Sequence, residues 1–166
     1  NQYLQMLYLR EVDLTMLQEL EAHLYGHDKI YLGLKGTKLE KLSSGEFNRL
    51  RLALLAVGIK SEYQKRGVLI LDEIDANLSG EESMSVAKVL RYLSQFFQIL
   101  VISHQPQLTS MGEQHFLVTK NEFSNVKSLS NEERIQEIAR IISGDAITQE
   151  AIGFAKELLL RGQGKL

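Results

Sequence analysis

Val68-Leu69-Ile70-Leu71-Asp72-Glu73 is a run of four aliphatic residues ended by two acids. An unbroken apolar run this short suits a strand covered on both faces, as in a parallel sheet. The acids then stand where the strand emerges, at the edge where open α/β sheets collect ligands. A second such run, Ile99-Leu100-Val101-Ile102, lies downstream. Between them Ser79 and Glu82 have the spacing of a capping box and open a helix through Val86, Val89, Leu90 and Leu93. Strand, helix and strand form a βαβ unit, whose right-handed crossover lays the strands parallel and brings both carboxyl ends to one edge. His104 follows the second strand as Glu73 follows the first, so both are expected at the same edge, within reach of one ligand.

Upstream, Ser43-Ser44-Gly45-Glu46 precedes Phe47, Leu50, Leu54 and Val57, which mark one face of a long helix ending near Gly67. A helix start presents free N–H groups and positive partial charge, so a phosphate fits there, with Gly45 permitting close approach and Ser43 offering a hydroxyl. An ordinary Ser cap with Glu46 as its box partner gives the same string and is by itself the commoner reason for it. Two acids ending a strand in solvent are likewise a weak signal alone. Successive strand residues point in opposite directions, which gives the two carboxylates different tasks. Asp72 suits Mg²⁺, a hard cation held by one or two carboxylates plus substrate phosphates. Glu73 is then the general base, and His104 a phosphate donor or water-orienting group.

Further out, Leu7 to Asp13 is expected as a strand. Thr15 to Tyr25 is expected as a helix closed by Gly26, on the spacing of Met16, Leu17, Leu20 and Leu24. Ile30 to Leu34 alternates as a strand. His115 to Thr119 and Val126 to Leu129 read as closing strands, Ser130 with Glu133 caps a helix to about Ile142, and a last helix runs from about Thr148 to Leu160. Gly162 to Leu166 is expected as a frayed tail. The expected fold is α/β, a largely parallel sheet flanked by helices, in a single domain over residues 1–166.

Composition narrows the classes. With 166 residues and 44% hydrophobic content the chain can bury a core. The absence of cysteine excludes disulfides and thiolate metal sites, which fits the cytoplasm. A net charge of −2 argues against a strong sequence-independent grip on nucleic acid; Lys35, Lys38 and Lys41 read first as a solvated loop. The four histidines, His23, His27, His104 and His115, are not spaced as a metal cluster. No apolar run approaches the roughly 20 residues of a membrane span. The start at Asn1, without a leader, reads as a cut or a join.

The order Leu42-Ser43-Ser44-Gly45-Glu46, then Val68 to Glu73, then Asp75-Ala76-Asn77-Leu78-Ser79, then Ser103-His104 resembles the ABC ATPase family from signature motif through Walker B and D-loop to switch histidine. Ile74, where membrane transporters usually have Pro, makes Asp-Glu-Ile-Asp-Ala look like the SMC-type branch of chromosome maintenance and repair ATPases. Asp75 to Gly80, Ser103 to Leu108 and Ser143-Gly144-Asp145 resemble a bacterial DNA repair member of that branch. The likeness covers about Asp28 to Leu160. Ser44 departs from the usual first Gly of the signature, and Ser79 from the usual D-loop Asp.

The resemblance implies Asp72 on Mg²⁺, Glu73 as catalytic base and His104 near the γ-phosphate. It implies Ser43 and Gly45 against the γ-phosphate of ATP held by an opposing head, with Ser44 and Glu46 in the same nucleotide-binding motif and Asp75 and Ser79 near the dimer seam. Neither Gly33 to Lys38 nor Gly162 to Leu166 matches the phosphate loop G-x-x-x-x-G-K-[ST]. The chain therefore resembles a C-terminal lobe, with Tyr3 to Tyr8 as the stub of a coiled coil leading to its own N-terminal Walker A lobe. The implied function is ATP-driven head dimerisation that gates DNA holding in double-strand break repair and recombination, at the nucleoid, with the lobe inactive alone. A nucleotide-gated clamp or scaffold with little hydrolysis is the alternative reading, and a transporter ATPase subunit the third.

Overall fold

Tyr3 and Leu7 stand one helical turn apart, the spacing at which two apolar side chains share a face, and both are buried. They belong to α1 (Gln2–Met6) and the turn that ends it, in which the Leu7 amide donates to the Tyr3 carbonyl at 3.1 Å. The computed structural model describes residues 2–9, 12–18, 28–34, 36–61, 67–120 and 122–162. They fall into two compact units, Asn1–Arg66 and Gly67–Leu166, where the sequence reading took one domain.

In the first unit β1 (Val12–Gln18) pairs antiparallel with β2 (Asp28–Leu34), in a register that sets Val12 opposite Leu34 and Gln18 opposite Asp28. A short β3 (Thr37–Lys38) adds to β2, and one turn of 3-10 helix, Leu39–Lys41, leads to α2 (Ser44–Ser61). Two expectations are corrected here. Tyr8, expected in a strand, lies in the turn after α1 with a φ of 56°. Residues 15–18, expected as helix, are strand; the rest of that expected helix, with His23, lies outside the described residues, as do His27 and Lys35. Val12, Leu14 and Met16 alternate with Asp13 and Thr15, and seven paired positions with β2 outweigh a helical spacing that leans on Leu20 and Leu24. The α2 face is also rotated from expectation. Leu50, Leu52, Ala53 and Ala56 are buried, whereas Phe47, Leu54 and Val57 are exposed.

In the second unit β4 (Gly67–Asp72) and β5 (Phe97–Ile102) are parallel, in register from Gly67 with Phe97 to Asp72 with Ile102, and α3 (Gly80–Leu93) is the crossover between them. α3 opens on the expected box, Ser79 accepting from the Glu82 amide while the Glu82 side chain reaches back to the cap. Next come α4 (Pro106–Met111), the hairpin of β6 (Phe116–Lys120) and β7 (Ser124–Ser128), α5 (Asn131–Ser143) and α6 (Gln149–Gly162). α4 was not foreseen, because six residues are too few to show a period. The α/β class stands, but pairing among the described residues is parallel only at β4 and β5.

The core of this unit is helical. Val86, Val89 and Leu93 of α3 are buried, and Ile138 and Ala139 of α5 pack with Ala151, Ala155, Leu158 and Leu159 of α6. The strands are not covered on both faces. Val68, Ile70, Leu100 and Ile102 are 62, 66, 47 and 54% exposed, and the register sets them on one side of the β4–β5 pair. Leu69, Leu71, Ile99 and Val101, on the other side, are half-buried.

His115 leads into β6 with its Nδ1 buried and, among the described residues, without a hydrogen-bond partner. Burial, and then the charge of Arg134, hold the imidazole below its ordinary value of 6.5, with Glu137 pulling the other way. The folded state therefore holds the proton less tightly than the free imidazole does. The unfolded state binds the extra proton first, so stability falls as pH drops below 6.5 toward the lowered folded value and is unaffected well above it. Thermal unfolding followed across that window will show a falling midpoint, with a shallower fall in His115→Gln.

Candidate nucleotide site

Parallel pairing of β4 with β5 puts the acids and the histidine at one edge. Asp72 is the last residue of β4, exposed, on the uncovered side with Val68 and Ile70. Glu73 is exposed too, and its amide donates to the Ile102 carbonyl at 3.3 Å, which ties it to the end of β5. His104, also exposed, follows two residues beyond Ile102.

Glu73 does not continue the strand. Its φ of 49° lies in the left-handed region, which costs a non-glycine residue about 1–2 kcal/mol. The tight turn therefore aims this carboxylate, where the sequence argument had invoked strand alternation. The chain then coils on itself: the Ala76 amide donates to the Glu73 carbonyl at 3.1 Å, and the Leu78 amide to the Asp75 carbonyl at 3.2 Å. Asn77, at a φ of 62°, is a residue type that tolerates this region; Glu73 is not. Residues held in such backbone conformations cluster at functional sites. Glu73→Gly is expected to raise the stability of the second unit by about 0.5–1 kcal/mol in denaturant unfolding, by relieving that backbone. A destabilised variant would mean that the Glu73 side chain holds the turn together.

The loop is lined inward by Ile74, Asp75 and Leu78, all buried. Asp75, which the resemblance sets near the dimer seam, is buried: its Oδ2 accepts from the Ser103 hydroxyl, whose oxygen accepts from the Gln105 amide at 3.0 Å. Sequence reasoning passed over Ser103, although a hydroxyl between a buried strand and a candidate histidine was a usable signal. Ser79 is exposed at the start of α3, its hydroxyl 3.0 Å from Glu82 Oε2.

The signature residues lie in the first unit. The Ser43 hydroxyl donates to Glu46 Oε2 at 2.8 Å and accepts from the Glu46 amide at 3.3 Å, and the Ser43 amide donates to the same carboxylate at 3.0 Å. The capping box is thus real, in a string that also suits a phosphate. Ser43 and Ser44 are exposed and Gly45 is buried. Arg49, another residue the sequence reading missed, is buried. Its Nε donates to the Gly45 carbonyl at 3.2 Å and its Nη1 to the Leu7 carbonyl at 3.1 Å, fixing the start of α2 to the end of α1. A charge on the buried face of a helix, beside Leu50 and Ala53, was the clue.

Asp72 offers one exposed hard oxygen donor, which suits a Mg²⁺ that arrives on phosphates and keeps its waters. Among the described residues no group of three or more His, Asp or Glu forms a metal cage, and no helix is long and apolar enough to cross a membrane.

Solved structures share this fold. The head domain of a Pyrococcus yayanosii Smc protein, solved with a coiled coil and joint, matches at a TM-score of 0.63 and 21% identity over 82% of this chain and 26% of that one. A structure from work on ATP-driven dimerization and DNA stimulated activation of SMC ATPases matches at 0.56 and 23% identity, over 80% of this chain and 84% of that one. The fold is that of an SMC ATPase head. No protein-family model matches the chain. Over the segment that it spans, the chain belongs with the proteins named DNA repair protein RecN. It is 47% identical over 145 residues to that of Helicobacter pylori strain J99, and 35% identical over 154 residues to that of Aquifex aeolicus. These matches take in 87 and 86% of this chain and 28% of each relative, so the chain spans little more than a quarter of the relatives' length.

Proposed function

We propose that this chain is the C-terminal lobe of an ATP-hydrolysing head in an SMC-like DNA repair protein, its two units forming one lobe over residues 1–166. The meeting of Asp72, Glu73 and His104 at the carboxyl ends of two adjacent parallel strands carries the reading. ATP with Mg²⁺ supplies the bond that is cleaved and the cation that spreads its charge. Asp72 supplies the protein oxygen for the cation. Glu73 takes the proton of the attacking water, and His104 donates toward the γ-phosphate. Ser43 and Gly45 face the γ-phosphate of a second head, with Ser44 and Glu46 in the same motif, and Ser79 lies along the seam with Asp75 beneath it.

The uncovered face of Val68, Ile70, Leu100 and Ile102 supports the other half of the reading. Four exposed aliphatics on a strand pair whose outer edges are unpaired among the described residues are a surface to be covered. The occupant we assign is the protein's own N-terminal Walker A lobe, which brings the phosphate loop this sequence lacks. Head pairing across ATP then gates DNA holding in double-strand break repair, in the cytoplasm at the nucleoid. The lobe alone is inactive, because phosphoryl transfer depends on positioning by groups it does not contain. ATP hydrolysis measured for the chain, for its Walker A lobe and for the two mixed tests this: turnover that appears only on mixing is the expected result. Turnover by the chain alone would refute it, and ATP-dependent association without turnover would make the head a nucleotide-gated clamp.

A further inference from the structure

Asp75 is 0% exposed, yet among the described residues only one of its carboxylate oxygens has a partner: Oδ2 takes the Ser103 hydroxyl and Oδ1 takes nothing. Ser103 is oriented for this, since its oxygen accepts the Gln105 amide at 3.0 Å and its proton is left for Asp75. Burying a carboxylate with one oxygen unsatisfied costs stability, so an apolar residue would serve the fold better. The placement is what it achieves. Asp75 follows Glu73 by two residues and Ser103 directly precedes His104. The Glu73 amide already meets the Ile102 carbonyl at 3.3 Å. The two loops are therefore joined twice, by backbone at the strand ends and by side chains beneath the turn.

We propose that Asp75 and Ser103 are a positioning pair that fixes the loop of Glu73 against the loop of His104, holding base and histidine at one separation. This rests on the ATPase reading above. Neither residue touches the reacting atoms: Asp75 acts on the turn that aims Glu73, and Ser103 on the residue next to it.

The test uses the protein with its Walker A lobe present. Ser103→Ala and Asp75→Asn are each expected to lower kcat by about 10- to 100-fold at unchanged KM for ATP, the size of a small misplacement of reacting groups. Ser103→Thr, which keeps the hydroxyl, restores most of the rate, and the double variant is no slower than the slower single one. Hydrogen exchange gives a second readout that needs no turnover. Either single variant is expected to speed exchange in both loops, 73–79 and 103–105. If the parent protein has no ATPase activity, the function reading fails and the exchange result still decides the pair. Unchanged kcat in both variants, independent additive losses, failure of Ser103→Thr to rescue, or faster exchange confined to the mutated loop would overturn the proposal.

Discussion

Glu73→Gln, in the chain mixed with its Walker A lobe, is expected to lower ATP turnover by about 10²–10⁴-fold, the usual contribution of a positioned general base. The substitution keeps the size of the side chain and the positive φ of the turn, and it leaves the bond from the residue 73 amide to the Ile102 carbonyl intact. It removes only the capacity to take a proton from water. ATP-dependent association of heads should persist, because the amide still fills the site and Asp72 remains for the cation. Steady-state hydrolysis beside light scattering of the nucleotide-bound complex separates the two effects. Turnover within about threefold of the parent, against the loss expected of a missing base, would show that another group takes the proton. Set beside the stabilisation expected of Glu73→Gly, the result would show a turn that gives up stability to hold a carboxylate in place.

The second large effect concerns assembly. Ile70→Lys combined with Leu100→Lys is expected to abolish association with the Walker A lobe while leaving the chain folded. The two residues face each other across the β4–β5 register, 66 and 47% exposed, so lysine there costs the separate chain little. Covered by a partner, each position gives up about 1.5–3 kcal/mol of aliphatic burial and adds an ammonium with no counter-charge. A total loss above about 5 kcal/mol weakens binding more than about 10³-fold. Titration calorimetry measures the association and circular dichroism the fold. Undiminished binding would mean that the lobe sits elsewhere and that this face has another partner.

Most of the second unit was legible because its signals are local. Capping spacings at Ser79 and Ser130 gave the starts of α3 and α5, and two apolar runs flanking a capped helix gave the parallel pair. The strand-end acids and the histidine followed from that topology. What failed depended on partners distant in sequence. Residues 15–18 carry spacing that fits either period, and pairing with β2 decides for the strand. The buried face of α2 was misread because Phe47, Leu54 and Val57 are as apolar as Leu50 and Leu52, and nothing in the residues says which side finds neighbours. The burial of Asp75 was not legible for a related reason: an acid in a loop is expected in water, and the Ser103 hydroxyl that meets it inside lies 28 positions away. A continuous aliphatic strand promises two covered faces, yet in this chain one face of β4 and β5 stays exposed.

The start of α2 already holds an anion of its own. The Glu46 carboxylate accepts from both the amide and the hydroxyl of Ser43 and occupies the donors that a phosphate would seek. A free anion arriving there trades one charge-assisted contact for another, and the net gain is small. The motif is thus a poor trap for stray inorganic phosphate. On the function proposed above, it would reward only an anion delivered with further contacts, so that occupancy would depend on the whole nucleotide rather than on its terminal group. When that anion leaves, the tethered carboxylate returns at high effective concentration and closes the door behind it.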